Sequence, residues 1–170
     1  MKRKPHTVLV AGAAACALMA ATYALASSKR VILNTTASAP LGLYWLSDEP
    51  PKVGDLALVR PPQGLARWMA VRGYLPLNVP LIKHVAALEG QSVCVQDGVV
   101  AIDGRIVGKV LILDLVGRRL NAAAICRSVR ADEVFLLNAD APRSLDGRYF
   151  GTLPRTSIAG RLHPVWTWER

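Results

Sequence analysis

Residues 81–102 read LIKHVAALEGQSVCVQDGVVAI, and this stretch decides the fold that the sequence predicts. The apolar run Leu81–Leu88 has the length and the residue types of a strand. Gln91–Gln96 and Val99–Ile102 flank the dipeptide Asp97-Gly98, which is typical of a two-residue type I′ hairpin turn. The stretch therefore predicts antiparallel β-structure.

Short runs of the same kind continue on both sides of this hairpin. Further strands are predicted at 31–33, 53–59, 111–115, 123–129, 134–137 and 157–168. Residues 64–73 favour a helix, because Leu65, Trp68 and Met69 stand at helical spacing. Short strands separated by turn dipeptides predict a mainly β fold, an antiparallel barrel or sandwich with one or two short helices.

The first 30 residues differ from the rest of the chain. A short basic head precedes Thr7–Ala26, which carries no charge over 20 residues and predicts an N-terminal hydrophobic helix. A helix of that length matches the hydrocarbon core of a lipid bilayer, and its basic end stays in the cytoplasm. We therefore predict two parts, a signal or anchor segment at 1–30 and an exported domain at 31–170.

This segment has two interpretations. It ends in Ala24-Leu25-Ala26, a small-x-small pattern that a leader peptidase could cut. A retained anchor, which we favour, places residues 7–26 in the inner membrane and the domain in the periplasm. A cleaved leader leaves the domain periplasmic.

The net charge of +9 divides unevenly along the chain. Five of the 21 basic side chains lie in residues 1–30 with no acidic partner, and the other 16 share residues 31–170 with all 12 acidic ones. The basic excess therefore brackets the apolar run rather than forming one face of the domain. Binding of nucleic acid is not expected, since arginine and lysine runs with interleaved aromatic residues are missing after residue 30.

The cysteines suggest a disulfide rather than a metal site. Cys94 and Cys126 are the only cysteines of the exported part, and an exported compartment permits disulfides. A Cys94–Cys126 bridge is the favoured interpretation, and two small buried hydrophobic side chains are the alternative. Neither cysteine has a histidine nearby, and the chain has no HExxH motif and no glycine-rich phosphate loop, so no metal and no cofactor are expected.

The sequence gives little support for a catalytic site that depends on a histidine. A Ser-His-Asp triad would need His84 or His163, because His6 lies in the basic head. Neither of the two has a clear partner in the sequence.

Lys83 is the candidate general base. In a strand its side chain shares a face with Leu81 and Val85. If that face is the core face, burial lowers the pKa of the ammonium and yields a neutral amine that can accept a proton near pH 7. A sheet-edge lysine that blocks aggregation is the alternative.

Ser38 is the candidate nucleophile. It lies in the segment NTTASAPLGLY at 34–44, where Pro40 keeps the preceding residue extended and Gly42 permits a sharp turn. A bend after a strand displays the hydroxyl of such a serine in the way that is typical of catalytic nucleophiles. The hydroxyl of Thr36 points to the same side and could stabilise an oxyanion together with the Ser38 backbone N–H. A polar loop of small residues is the alternative.

A third candidate region is the segment NADAPRSLDGRYFG at 138–151. Asp146 and Arg148 flank a glycine and can pair across the turn. Ser144 could form a hydrogen bond with the amine of Lys83 and orient it. A solvated Asp-Gly turn is the alternative.

Four segments, taken in their order along the chain, resemble the signal peptidase family of serine proteases with a Ser/Lys dyad. The segments are SAPLGLY at 38–44, VGDLALV at 53–59, LIKHVAALEG at 81–90 and SLDGRYFG at 144–151. The string Ser-x-Pro-x-Gly-Leu-Tyr resembles the conjugative-transfer peptidases of TraF type within that family. One departure concerns the Gly-Asp-Asn that general signal peptidases often carry before the last segment. Leu137–Asp140 stands there instead, which leaves the roles of Asn138 and Asp140 open.

The resemblance implies roles for six residues. These are Ser38 as nucleophile, Lys83 as general base, Thr36 at the oxyanion position, Ser144 as the serine that orients the lysine, and Asp146 with Arg148 as a supporting ion pair. It also implies the function of a membrane-associated serine endopeptidase that processes exported precursors. A conjugative prepilin would be the substrate, with cyclisation by transpeptidation as one outcome. A catalytically silent, membrane-tethered assembly factor of a conjugation or secretion apparatus is the alternative.

Overall fold

The computed structural model describes residues 5–27 and 30–168. The first four residues of the basic head at 1–6, residues 28–29 and residues 169–170 lie outside the described residues. Helix α1 spans Pro5–Ser27, and its apolar side chains Leu9, Val10 and Leu18 are exposed. The predicted N-terminal helix is therefore confirmed. Across the described ranges, no helix has both the length and the apolar content needed to cross a membrane.

Antiparallel β-structure dominates the described residues that follow α1. The strands are β1 (Val31–Asn34), β2 (Leu41–Ser47), β3 (Leu56–Val59), β4 (Leu81–Ala87), β5 (Ser92–Gln96), β6 (Val99–Ile102), β7 (Arg105–Lys109), β8 (Cys126–Ser128), β9 (Glu133–Leu136), β10 (Thr152–Pro154) and β11 (Ile158–Trp168). The short helices are α2 (Gln63–Val71) and α3 (Gly147–Phe150), and a 3₁₀ turn spans Arg155–Ser157. The predicted fold class, mainly antiparallel β with few helices, is confirmed.

Two sheets organise these strands. The first has seven strands in the order β1-β2-β11-β3-β4-β9-β10, and the second has four in the order β7-β6-β5-β8. Every pairing is antiparallel among the described strands. The long strand β11 lies between β2 and β3 and so connects the β1-β2 pair to the rest of the larger sheet.

Strand β4 is buried on both faces, which explains its continuous apolar sequence. Leu81 and Val85 pack into one hydrophobic cluster, whereas Ile82 packs with Tyr44 and Leu162 into another. A strand between two cores has no solvent face and therefore no polar alternation. Lys83, the buried polar side chain of this strand, is consequently held away from water.

The turn dipeptide Asp97-Gly98 correctly predicted the hairpin of β5 and β6. Gln96 pairs with Val99, and the two turn residues Asp97 and Gly98 have φ of 51° and 76°. Both positive values are those that a type I′ turn requires. On the other side of β5, Cys94 stands opposite Cys126 of β8, and a disulfide joins them.

The predicted strand at 111–115 is wrong. Leu113 forms only an isolated bridge with Arg119, and the segment between them is a turn. Asp114 organises this turn, because its carboxylate accepts from the backbone N–H of Val116 at 3.0 Å and of Arg118 at 2.8 Å. Local hydrogen bonds to an aspartate thus outcompeted strand pairing, although Ile112 and its neighbours are apolar.

The sequence did not predict strand β2, because its first residues were interpreted as part of a bend. Gly42 has φ of 150° and lies inside β2, where an added Cβ would stand 2.2 Å from the Trp166 carbonyl oxygen of β11. The glycine therefore permits a close approach of two strands rather than a sharp turn.

Candidate active site

Ser38 lies in the loop between β1 and β2, and its side chain is half-buried. The buried amide of Asn34 shapes this loop. Its Nδ2 donates to the carbonyl oxygens of Thr36 at 3.0 Å, Ala39 at 3.0 Å and Pro40 at 2.9 Å. One side chain thus satisfies three backbone carbonyls and holds the serine in place. No motif in the sequence indicated this role for Asn34.

Thr36 is engaged within the same loop. Its hydroxyl donates to Asn34 Oδ1 at 2.9 Å, and its backbone N–H donates to the same oxygen at 3.0 Å. A developing oxyanion would therefore compete with Asn34 for the Thr36 hydroxyl proton. Among the described residues, the Ser38 backbone N–H has no hydrogen-bond partner and is available as a donor.

Lys83 projects from β4 into the core, with only 3% of its surface exposed. Its Nζ donates to Ser144 Oγ at 2.6 Å. Burial lowers the pKa of this lysine from 10.5 to about 8, while the Asp146 carboxylate acts in the opposite direction and Arg148 adds to the lowering. The structure thus brings Lys83 and Ser144 into direct hydrogen-bond contact.

Asp146 and Arg148 form a fully buried ion pair. The guanidinium makes two parallel contacts with the carboxylate, Nε to Oδ1 at 2.8 Å and Nη2 to Oδ2 at 2.8 Å. Nη2 also donates to the carbonyl oxygens of Asn138 at 3.0 Å and Ala141 at 2.8 Å. Residues 138–142 therefore wrap around the guanidinium, and this wrapping positions Ser144 against Lys83.

Asn138 is the site residue whose role the sequence left open. Its Nδ2 donates to the carbonyl oxygens of Ser38 and of Ile82, the second at 3.2 Å, and its Oδ1 accepts from the His84 backbone N–H at 2.9 Å. One amide thus ties the Ser38 loop to β4 on both sides of Lys83. Sequence spacing carried no signal for this contact, because Ser38 and Asn138 are 100 residues apart.

A cavity of about 350 Å³ brings the polar groups to one surface. Ser38, Lys83, Ser144 and Thr36 line it, and most of its remaining walls are apolar, including Ile82. Within the described chain, no hydrogen bond joins Ser38 Oγ to Lys83 Nζ. Catalytic hydrogen bonds are often long before substrate binds, so the shared cavity is the relevant geometry.

No group of three or more histidine, cysteine, aspartate or glutamate side chains in the described ranges could hold a metal ion. The chemistry available at the cavity is that of a hydroxyl, a buried amine and an unpaired backbone N–H. These groups suit acyl transfer, in which a nucleophile, a base and an oxyanion donor act on one carbonyl.

The chain belongs to the family described as "Signal peptidase, peptidase S26", whose pattern matches residues 4–168. The predicted family is therefore confirmed, and membership supports the assignment as a serine protease hydrolase.

Two curated relatives are similar over most of their length. The "Plasmid transfer protein TraF" of Escherichia coli is 33% identical over 178 residues, which cover 99% of this chain and 98% of the relative. The "Conjugal transfer protein TraF" of Agrobacterium fabrum (strain C58 / ATCC 33970) is 36% identical over 150 residues, which cover 81% of this chain and 82% of the relative. Among solved structures, a signal peptidase I from Enterococcus faecalis V583 matches with a TM-score of 0.43 and 21% identity, over 69% of this chain and 100% of that chain.

Proposed function

We propose that this chain is a serine endopeptidase of signal-peptidase type, with Ser38 as nucleophile and Lys83 as general base. One observation carries the proposal. Lys83 is 3% exposed, its amine has a lowered pKa, and it lines the same cavity as the half-buried Ser38. A lysine in water stays protonated at neutral pH, whereas a buried one has a neutral fraction that can accept a proton.

The positions of these groups support an acyl-transfer reaction. Neutral Lys83 takes the proton of Ser38 Oγ as that oxygen attacks the carbonyl carbon of the substrate. The oxyanion accepts from the free Ser38 N–H, and from the Thr36 hydroxyl once it leaves Asn34. The Lys83 ammonium then protonates the departing amine, and an ester on Ser38 remains for water or a second amine to cleave.

Ser144 and the buried ion pair support the base rather than react. Ser144 Oγ lies 2.6 Å from Lys83 Nζ and limits the rotamers of a long, flexible side chain. Asp146 and Arg148 hold the segment that carries Ser144. Burial is the largest influence on the pKa of the amine, while the Asp146 carboxylate raises this pKa and the Arg148 guanidinium lowers it.

The substrate we propose is an exported precursor protein of a conjugation apparatus, with a prepilin as the first choice. The names of the two relatives, a plasmid transfer and a conjugal transfer protein, support a role in conjugation. The apolar walls of the cavity suit an extended peptide with apolar side chains next to the scissile bond. Release by a second amine would turn hydrolysis into transpeptidation and cyclise the product.

For location, we propose a membrane-associated protein with residues 31–170 as the catalytic domain on the periplasmic side. Residues 1–30 then serve as the signal or anchor segment, which the exposed apolar side chains of α1 support. The disulfide between Cys94 and Cys126 is compatible with an oxidising compartment. Cell fractionation of the full chain, with and without residues 1–30, tests this location.

The central test is co-expression with a candidate prepilin, followed by mass measurement of the product. We expect wild type to convert the precursor, and Ser38→Ala and Lys83→Ala to leave it intact. Linear and cyclic products differ by the mass of one water, so the same spectrum separates hydrolysis from cyclisation. Ser92→Ala and Lys52→Ala, at exposed positions, are the matched controls and should process normally.

Unchanged processing by both Ser38→Ala and Lys83→Ala would remove the mechanism. Conjugation that survives Ser38→Ala would favour the silent assembly factor instead.

A further inference from the structure

Lys83 and His84 are neighbours on β4, so their side chains project to opposite faces of the strand. Lys83 lines the cavity already described. His84 lines a second cavity of about 630 Å³, together with Ser38, Asp140 and Trp168. Ser38 is common to both cavities and therefore stands between a buried amine on one side and an imidazole on the other.

The hydrogen bonds of Asn138 assign the tautomer of this imidazole. Asn138 Nδ2 donates to two carbonyl oxygens, which leaves its Oδ1 facing His84. That oxygen lies 3.2 Å from His84 Nδ1 and 2.9 Å from the His84 backbone nitrogen. A carboxamide oxygen only accepts, so Nδ1 carries the hydrogen and Nε2 of the neutral ring keeps its lone pair.

The same amide also fixes the imidazole relative to the nucleophile. Asn138 binds the Ser38 carbonyl oxygen with its nitrogen and His84 with its oxygen, so the three residues form one hydrogen-bonded unit. His84 is thus held at a cavity that Ser38 also lines, and its Nε2 is the ring nitrogen that does not face Asn138. The proposed mechanism does not use this base.

The other polar groups of the second cavity favour a particular ligand. Asp140 contributes an exposed carboxylate, and Trp168 contributes an indole that is 41% exposed. A carboxylate attracts a cationic amine, and the face of an indole does the same. The cavity therefore combines recognition of an amine with a base that can deprotonate it.

We propose that the His84 cavity holds the acyl acceptor, an amine such as a peptide N-terminus, and that His84 Nε2 accepts its proton. This inference rests on the proposed function, because the acceptor attacks the ester on Ser38. As the new C–N bond forms, one N–H proton passes to His84 Nε2. The C–Oγ bond breaks, its electron pair stays on Ser38 Oγ, and this oxygen takes a proton from water while His84 returns one to water.

The experiment separates acylation from acceptor attack in the full-length protein. The probes are p-nitrophenyl acetate as acyl donor and alaninamide as amine acceptor. The burst of p-nitrophenolate reports acylation of Ser38, and the increase of the steady-state rate with alaninamide reports attack by the amine. His84→Asn keeps a donor towards Asn138 and removes the base. We expect an unchanged burst and a loss of the amine-dependent rate of about tenfold or more.

Two further variants sharpen the result. His163→Asn changes the histidine whose Nε2 lies 3.2 Å from Ser47 Oγ, outside both cavities, and should leave burst and amine dependence as in wild type. Asp140→Asn changes an exposed residue and should raise the alaninamide concentration for half-maximal effect several-fold with no change in the burst.

Several outcomes would overturn the inference. Amine dependence that is unchanged in both His84→Asn and Asp140→Asn rules out the acceptor site. A burst that falls in parallel with the amine-dependent rate in His84→Asn assigns His84 to positioning of the Ser38 loop instead. A burst that is missing in wild type, or that persists in Ser38→Ala, contradicts the proposed function itself, and the acceptor site falls with it.

Discussion

The two sheets bury different kinds of side chain. Around the seven-stranded sheet, the buried residues include Lys83, Asn138, Asp146 and Arg148. In the four-stranded sheet, the buried side chains are apolar, and a disulfide links the paired strands β5 and β8. Buried polar groups cost stability unless they are paired, whereas apolar packing and a covalent bond contribute it directly. The larger sheet therefore carries the buried polar groups of the candidate site, whereas the smaller one carries groups that stabilise the fold.

The largest effect should follow from Lys83→Met, which keeps the volume of the side chain and removes the amine. We expect peptidase activity to fall by about 10²- to 10⁴-fold, the range for loss of a general base. The free energy of unfolding at pH 7 should not fall, because a buried ammonium no longer has to be desolvated. Turnover and urea unfolding measure the two quantities. A variant that is active, or that is less stable by several kcal/mol, would mean that Lys83 is structural.

The second prediction concerns the buried ion pair. Arg148→Met leaves the Asp146 carboxylate buried and uncompensated, so we expect a loss of about 3–5 kcal/mol of stability. Arg30→Met is the matched control, because Arg30 pairs with Asp48 at 2.7 Å on the surface, where such a pair contributes about 1 kcal/mol or less. Equal losses in the two variants, measured by denaturant unfolding, would contradict the contrast between buried and exposed pairs.

The third prediction tests the smaller sheet. Replacement of Cys94 and Cys126 by serine removes a crosslink that spans 32 residues, which should cost about 3–4 kcal/mol. Peptidase activity of the folded protein should change by less than about twofold, since no described residue of the four-stranded sheet lines the cavity that Ser38 and Lys83 share. Thermal unfolding and turnover at a temperature well below the transition provide the two readouts. A large loss of turnover would show that the sheets are coupled.

The last prediction is a pH dependence of activity and stability. With the pKa of Lys83 lowered to about 8, activity should rise about tenfold per pH unit below that value and level off above it. The unfolded chain binds more protons than the folded one between pH 8 and 10.5, so wild type should gain stability relative to Lys83→Met as the pH rises through this window. If the activity instead rose with an apparent pKa near 10.5, the amine of Lys83 would be solvated.

Local signals in the sequence predicted several elements well. Asp97-Gly98 placed the β5–β6 hairpin, because positive φ at both turn positions is a property of those two residues alone. Helical spacing at 64–73 predicted α2, which is observed at Gln63–Val71. The strand expected at 111–115 failed, since the Asp114 carboxylate binds nearby backbone groups that a strand would have needed.

The sequence by itself determined the mainly antiparallel β fold and the family, because periodicity, turn dipeptides and ordered motifs are local properties of the chain. Tertiary structure alone decided how deeply Lys83 is buried and which nitrogen of His84 faces the Asn138 carboxamide oxygen. Both depend on side chains far away along the chain, Ser144 at a separation of 61 residues and Asn138 at 54. The pKa of an amine and the tautomer of an imidazole are set by the groups within a few ångströms, and only folding brings those groups together.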